Sequence, residues 1–438
     1  MMACLSRLFL LGVVSLWVTQ SVRASDEFEQ APIHYSASTP DNPVSRFHEE
    51  LKAGKATLKY EEDFGYLRSL LEHLQVPVDS QLLVFSKTSL QIGRISPKAP
   101  RSIFFNDDVY VGYAHGGDMI EISVADPGLG AVFYTLDQSA EEPPVLLRQM
   151  DRCLTCHATT RTEHVPGHLA RSLHVDSRGH PIFSAGNQNV DHRTPIAQRW
   201  GGWYVTGTHG KQTHLGNFIA KERSAVEPVD NSAGQNVIEL GTRFPSARAL
   251  TPHSDIVALM VFEHQLFVQN RLTKANFAAR QALHYQSTMS AALGKSPDSL
   301  LESVDRRLNQ AARELVEALL FSEEATLSEP ISGTSGFANR FTAQGPHDNH
   351  GRSLKQLDLQ TRLFKYPCSY EIYSSQFDAL PPELLRRVWE KMHAVLTGAD
   401  DSEDYAHLIP ADRQAILEIL LATKENLPDN WRSKAELP

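Results

Sequence analysis

The chain has 438 residues, 41% of them hydrophobic and 21% charged, with a formal net charge of −10 at neutral pH. That acidic balance argues against nucleic acid or anionic lipid as a general partner, since both attract basic surfaces. Four cysteines are too few for a disulfide framework in a chain this long, which must instead rest on ordinary hydrophobic cores, two by its length.

In chain order, Met1 to Ala24 comes first. It carries Arg7, the apolar run Leu8 to Val18, and Val22-Arg23-Ala24 as a small-residue cleavage site. An apolar run of that length is short for a bilayer span and reads as a secretory signal peptide. Cleavage would remove Arg7, Arg23 and Cys4, leaving 40 basic against 52 acidic residues, a net of −12. The expected location is periplasmic or secreted, with no stable membrane span after cleavage.

A polar, Pro-containing segment (Pro32, Pro40, Pro43) precedes a helical pattern over Phe47 to Leu74. From Gln81 the texture becomes that of short strands: Leu82–Phe85, Ser102–Phe105, Val109–Tyr113, Met119–Val124 and Ala131–Leu136. Turn groups such as Asn106-Asp107-Asp108 and Asp126-Pro127-Gly128 separate them, which predicts an antiparallel meander. Val145 to Arg152 reads as a short helix or approach loop. In a loop-rich stretch, Trp200-Gly201-Gly202-Trp203-Tyr204-Val205 reads as a further strand, with a Gly pair where the backbone must bend or approach something closely. Ser254 and Asp255 suit the start of a long helix, and helical patterns recur over Ser299–Phe321, Leu354–Phe377, Pro382–Leu396 and Asp412–Lys424, with Ser328–Gly351 irregular. The predicted fold class is α+β: a β-rich N-terminal part over residues 25–240, then a mainly α-helical region over 241–438.

The most specific signal is Cys153-Leu154-Thr155-Cys156-His157. C-x-x-C-H is the attachment sequence of c-type haem, in which two thiols form thioethers and the adjacent imidazole ligates iron. Two other readings use the same residues. A dithiol redox pair belongs at a helix start after a strand in a βαβ unit, and a zinc site could recruit His164 and His168. On these five residues the chain resembles a c-type cytochrome. The resemblance implies one covalently attached haem held by Cys153 and Cys156, with His157 as the proximal ligand.

The rest of the chain departs from that family. Soluble c-type modules are small, all-helical, and carry their motif near the N-terminus; they use a downstream methionine as sixth ligand. Here no methionine follows Met150 until Met260, whereas eight of the 19 histidines fall between His157 and His214. Distal candidates are therefore His192, in the polar group Asp191-His192-Arg193, and His264 or Met260, which share one face of the helix after Ser254. Arg152, Arg161, Arg171, Arg193 and Arg199 are placed to meet propionates, and Trp200, Trp203 and Tyr204 to pack on a macrocycle. Cys368 reads as a buried thiol. The expected function is one-electron transfer to or from a redox partner protein. A haem-dependent oxidoreductase, peroxidase-like and with an open distal site, is the alternative that the chain's size motivates.

Overall fold

The computed structural model describes residues 27–140, 143–220, 230–294, 300–429 and 431. Met1 to Ala24, read above as a signal peptide, lies outside them.

The N-terminal half is built on one seven-stranded sheet. Its strands are β1 (Leu82–Val84), β2 (Arg101–Phe105), β3 (Val109–Ala114), β4 (Met119–Asp126), β5 (Gly130–Asp137), β6 (Leu146–Gln149) and β9 (Trp203–Tyr204), in the spatial order β6-β5-β4-β3-β2-β1-β9. Every neighbouring pair is antiparallel, so β1 to β6 form the expected meander. A separate hairpin, β7 (Arg171–Leu173) with β8 (Asn187–Asn189), was not foreseen. Neither was β6. Val145 to Arg152 is no helix, because Leu146 to Gln149 pair with Leu136 to Phe133 and extend the sheet by one edge strand.

Alternation along the strands gives the sheet two different faces. Val109, Val111 and Tyr113 of β3, Ile120, Ile122 and Val124 of β4, and Val132, Tyr134 and Leu136 of β5 all face one way. They pack with Val44 and Phe47 of α1 (Pro43–Lys52) and Leu67, Leu70 and Leu71 of α2 (Leu67–His73). The helical pattern over Phe47 to Leu74 is thus two helices. The opposite face carries the intervening residues in two cross-strand rows. One runs Ile103–Gly112–Glu121–Thr135 and the other Phe105–Tyr110–Ser123–Phe133. Polar and small residues interrupt these rows, and the candidate site lies on them.

Beyond α3 (Leu154–His157), the helices are α4 (Ile256–Leu293), α5 (Glu302–Leu319), α6 (Phe337–Ala343), α7 (Ser375–Asp378), α8 (Pro382–Leu396) and α9 (Pro410–Thr423). α4 starts where the sequence puts it. Asp255 accepts from the backbone of Val257 and Ala258 at 2.8 and 3.4 Å, and also from Thr334 and Ser335 at 2.8 and 2.7 Å. One carboxylate therefore caps the helix and pins a distant loop. Residues 256–266 of α4 are buried on all sides, so Met260 and His264 sit on no amphipathic stripe. The main hydrophobic core runs from Leu82 and Val84 of β1 through α4 to α5, α8, α9 and Trp431. Apolar packing is thus continuous across residue 240.

Leu354–Phe377 is not a helix. Asp358 Oδ1 accepts the N–H groups of Gln360, Thr361 and Arg362 at 2.8, 2.7 and 3.2 Å, which takes those donors away from any helical ladder. Leu359 adopts φ +59°, and Pro367 supplies no donor. Ser328–Gly351 is irregular as expected, apart from α6. Among the described residues no helix is long and apolar enough to cross a membrane.

Candidate functional site

The Cys153–His157 motif forms a single helical turn. The Cys153 carbonyl accepts from the N–H of Cys156 at 3.1 Å and of His157 at 3.0 Å. Residues three and four apart on such a turn share a side, which gathers Cys153, Cys156 and His157 together. The chain then folds back beneath the imidazole. Thr159 caps a short 3-10 turn, and Glu163 and His164 both adopt left-handed backbone (φ 56° and 64°). That reversal returns Gly167 to His157, with its N–H donating to the His157 carbonyl at 2.8 Å. The Gly167 carbonyl in turn lies 2.9 Å from His157 Nδ1. A carbonyl only accepts, so Nδ1 carries the proton and Nε2 keeps its lone pair. Burial pushes the His157 pKa below its usual value, with the Gly167 contact opposing that shift. The ring is therefore a neutral imidazole with one committed and one available nitrogen. The loop is fastened to the helices by Glu163, which meets Arg271 at 3.0 Å and Lys274 at 2.7 Å on α4.

Cys153, Cys156 and His157 all line one cavity of about 420 Å³. Its floor is the second face of the sheet: Arg101 and Ile103, Tyr110 and Gly112, Glu121 and Ser123, Phe133 and Thr135. Trp203, Phe262 and Leu266 add apolar wall. Gly112 leaves room for the Arg101 side chain in this position, since a Cβ there would stand 2.2 Å from the guanidinium and push it aside. Its absence lets Arg101 lie across β3 and meet Glu121 at 2.6 Å. Ile92 and Phe183, 55% and 66% exposed, stand at the mouth with exposed Cys156. The volume falls within the usual range for small-molecule sites, and the lining is mostly apolar with a few polar groups.

The other predicted residues divide. Arg152, Arg171 and Trp203 line the cavity, and Trp203 donates its indole N–H to the Arg171 carbonyl at 2.7 Å. Arg161 and Arg193 line a neighbouring polar cleft of about 600 Å³, where Arg193 is held by Asp191 at 2.8 Å. Arg199 is buried in an ion pair with Glu263 at 3.1 Å, and Trp200 and Tyr204 are core residues. None of the distal candidates reaches the cavity. His192 and His264 contact each other, Nδ1 to Nδ1, at 3.1 Å. His264 Nε2 lies 2.8 Å from Ser369 Oγ, and its ring stacks on Phe321. Met260 is core filling, at 2% exposure. These three are corrected as distal candidates: Met260 and His264 lie on a part of α4 that is enclosed by core on every side, and His192, from the loop before Arg193, packs against His264, so none of them lines the cavity.

Sequence reasoning named His168 only as a zinc candidate with His164 and missed it as a residue of this cavity. It lines the same cavity as His157, is 5% exposed, and has a buried Nε2 with no protein partner. The one signal for it was the excess of histidines after the motif. Cys368 is buried, as read, and burial pushes its thiol pKa strongly upward.

The alternative chemistries lack their context. Burial raises the Cys153 pKa to about 11, the reverse of the depressed value a nucleophilic dithiol needs. The motif also follows an edge strand of an antiparallel sheet rather than opening the helix of a βαβ unit. His164 is exposed, and among the described residues no three His, Cys, Asp or Glu side chains converge to hold a bare metal ion. Compared with family models, curated proteins and solved structures, the chain gives no match.

Proposed function

We propose that the chain is a secreted single-haem c-type cytochrome that carries one electron at a time to or from a redox partner protein. The observation that carries this reading is the Cys153–His157 turn opening into an apolar cavity, with His157 Nδ1 committed to the Gly167 carbonyl. A hydrogen-bonded ring orientation of this kind is the usual second shell of a metal-bound histidine. In this reading Cys153 and Cys156 hold the haem covalently and His157 ligates its iron. Bound haem supplies a one-electron ferric/ferrous couple.

The protein's own groups then do three things. The Gly167 contact fixes the imidazole tautomer and makes the ring more electron-donating. Arg152 and Arg171 line the cavity and give its acidic occupant cationic partners, while Arg101 is paired with Glu121 on the floor. Phe133, Trp203, Phe262 and Leu266 exclude water, while the mouth at Ile92, Phe183 and Cys156 leaves one edge open to a partner.

The test is production in a host that exports and matures c-type haem, followed by intact mass and a pyridine haemochrome spectrum. Covalent haem in the native chain, lost from the Cys153→Ala/Cys156→Ala double variant, is the expected result. A matured protein without covalent haem would overturn the proposal.

One observation favours a second reading, a haem oxidoreductase. The polar cleft with Arg161, Arg193 and Asn270 shares His168, Leu169 and Leu266 with the cavity, so a small substrate there would lie one side chain from it. High-spin ferric haem reacting rapidly with peroxide would favour this reading over electron transfer.

A further inference from the structure

Besides His157, His168 is the one histidine among the cavity's lining residues, and no methionine lines it. Each imidazole has its Nδ1 beside a polar group of the protein. His157 has Nδ1 bound to the Gly167 carbonyl at 2.9 Å, which leaves Nε2 available. His168 has Nδ1 3.3 Å from Ser123 Oγ, and its Nε2 is buried with no protein partner. A buried ring nitrogen without a partner is uncommon and calls for an explanation. Both rings lie against Phe133, with centroids 4.8 Å away for His157 and 6.4 Å for His168.

The position of His168 is built, too. Asn270 of α4 grips its backbone on both sides, accepting the His168 N–H at 2.8 Å and donating to its carbonyl at 2.9 Å. Gly167 beside it has no room for a side chain, since a Cβ would stand 2.5 Å from Asn270 Oδ1. The Tyr110 ring packs on the imidazole at 4.5 Å. A central helix, a sheet hydroxyl and an aromatic wall thus converge on one ring whose remaining nitrogen bonds to nothing in the protein.

We infer that His168 Nε2 is the second axial ligand of the haem, making the site a bis-histidine centre. The inference rests on the proposed function and deepens it, because a sixth ligand that stays bound suits outer-sphere electron transfer rather than turnover of a substrate.

The experiment uses the full chain matured with haem. Haemochrome and mass come first: no covalent haem would end both the proposed function and this inference. With haem attached, ferric EPR and near-infrared magnetic circular dichroism report the ligands of the native protein without any variant. A low-spin bis-imidazole signature is expected. High-spin iron, or a thioether or amine signature, would overturn the assignment while leaving the cytochrome reading intact. His168→Ala should then keep its haem content but lose the low-spin signal, with added imidazole restoring it. His168→Met should remain low-spin and gain a sulfur-to-iron charge-transfer band. A low-spin spectrum unchanged in His168→Ala would also refute it.

Discussion

Gly167→Ala tests how the site is held together. The backbone at 167 is not in the left-handed region, so the substitution acts only through space. The new Cβ would stand 2.5 Å from Asn270 Oδ1 and 3.0 Å from both Asn270 Cγ and Thr162 Cβ. Either Asn270 retreats from the His168 N–H, now 2.8 Å away, or the loop shifts and carries the Gly167 carbonyl off His157 Nδ1. Overpacking of this kind costs about 1–3 kcal/mol, and one weakened buried hydrogen bond adds about 1 kcal/mol, so a loss of about 2–4 kcal/mol is expected. With an unfolding entropy of about 2.1 cal/mol/K per residue, a chain of this length loses about 1.1 °C of Tm per kcal/mol, or about 2–4 °C. Asn270→Ala removes both hydrogen bonds to the His168 backbone and should cost about 2–4 kcal/mol alone. It also removes the nearest of the atoms that the added methyl strikes, Asn270 Oδ1 and Cγ, and leaves only the 3.0 Å approach to Thr162 Cβ. The double variant should therefore melt near Asn270→Ala, not at the sum of the two losses. Thermal unfolding followed by circular dichroism measures all four proteins. Additive losses, or a Gly167→Ala protein as stable as the parent, would refute the packing argument.

Thiol labelling should distinguish the cysteines: in the matured protein none reacts while folded, and on denaturation Cys368 reacts but Cys153 and Cys156 do not, which mass spectrometry of labelled peptides would read. Arg199→Met strands Glu263, 2% exposed, without its cation and should cost about 3–5 kcal/mol, measured by chemical denaturation; replacing both partners with apolar residues should recover much of that loss. His214, 3% exposed, has its pKa lowered by burial to about 3. Its folded pKa lies below the unfolded value of 6.5, so its contribution to stability is complete above pH 6.5 and is lost as the pH falls toward 3. His214→Gln should remove about 1.4 kcal/mol per pH unit of that acid sensitivity, seen as the difference between the two stability-against-pH curves. A parallel offset between the curves would refute the buried-neutral assignment.

Local signals in the sequence were enough for much of this protein. Cys153 to His157 lie within one turn, so their shared side follows from spacing alone. Ile120-Glu121-Ile122-Ser123-Val124 alternates because one face of β4 is core and the other is cavity floor, and Gly112 on the neighbouring strand marks where Arg101 must cross. Asp255 as helix cap needed only its own type and the apolar run after it. Other local signals misled for a physical reason. The apolar spacing of Leu354–Phe377 imitates a helix, yet the Asp358 carboxylate captures three successive N–H groups and ends any ladder there. Leu146 to Gln149 carry no strong strand pattern and are drawn into the sheet by the free edge of β5. Which of the many histidines meets the cavity lay beyond sequence altogether. His168 is set by Ser123, 45 residues before it, and Asn270, 102 residues after it, whereas His264, on a part of α4 buried on all sides, is held in the core against His192 and Ser369. Chemistry confined to one turn is written in adjacent residues, but a buried side chain's surroundings come from chain segments that only tertiary packing brings together.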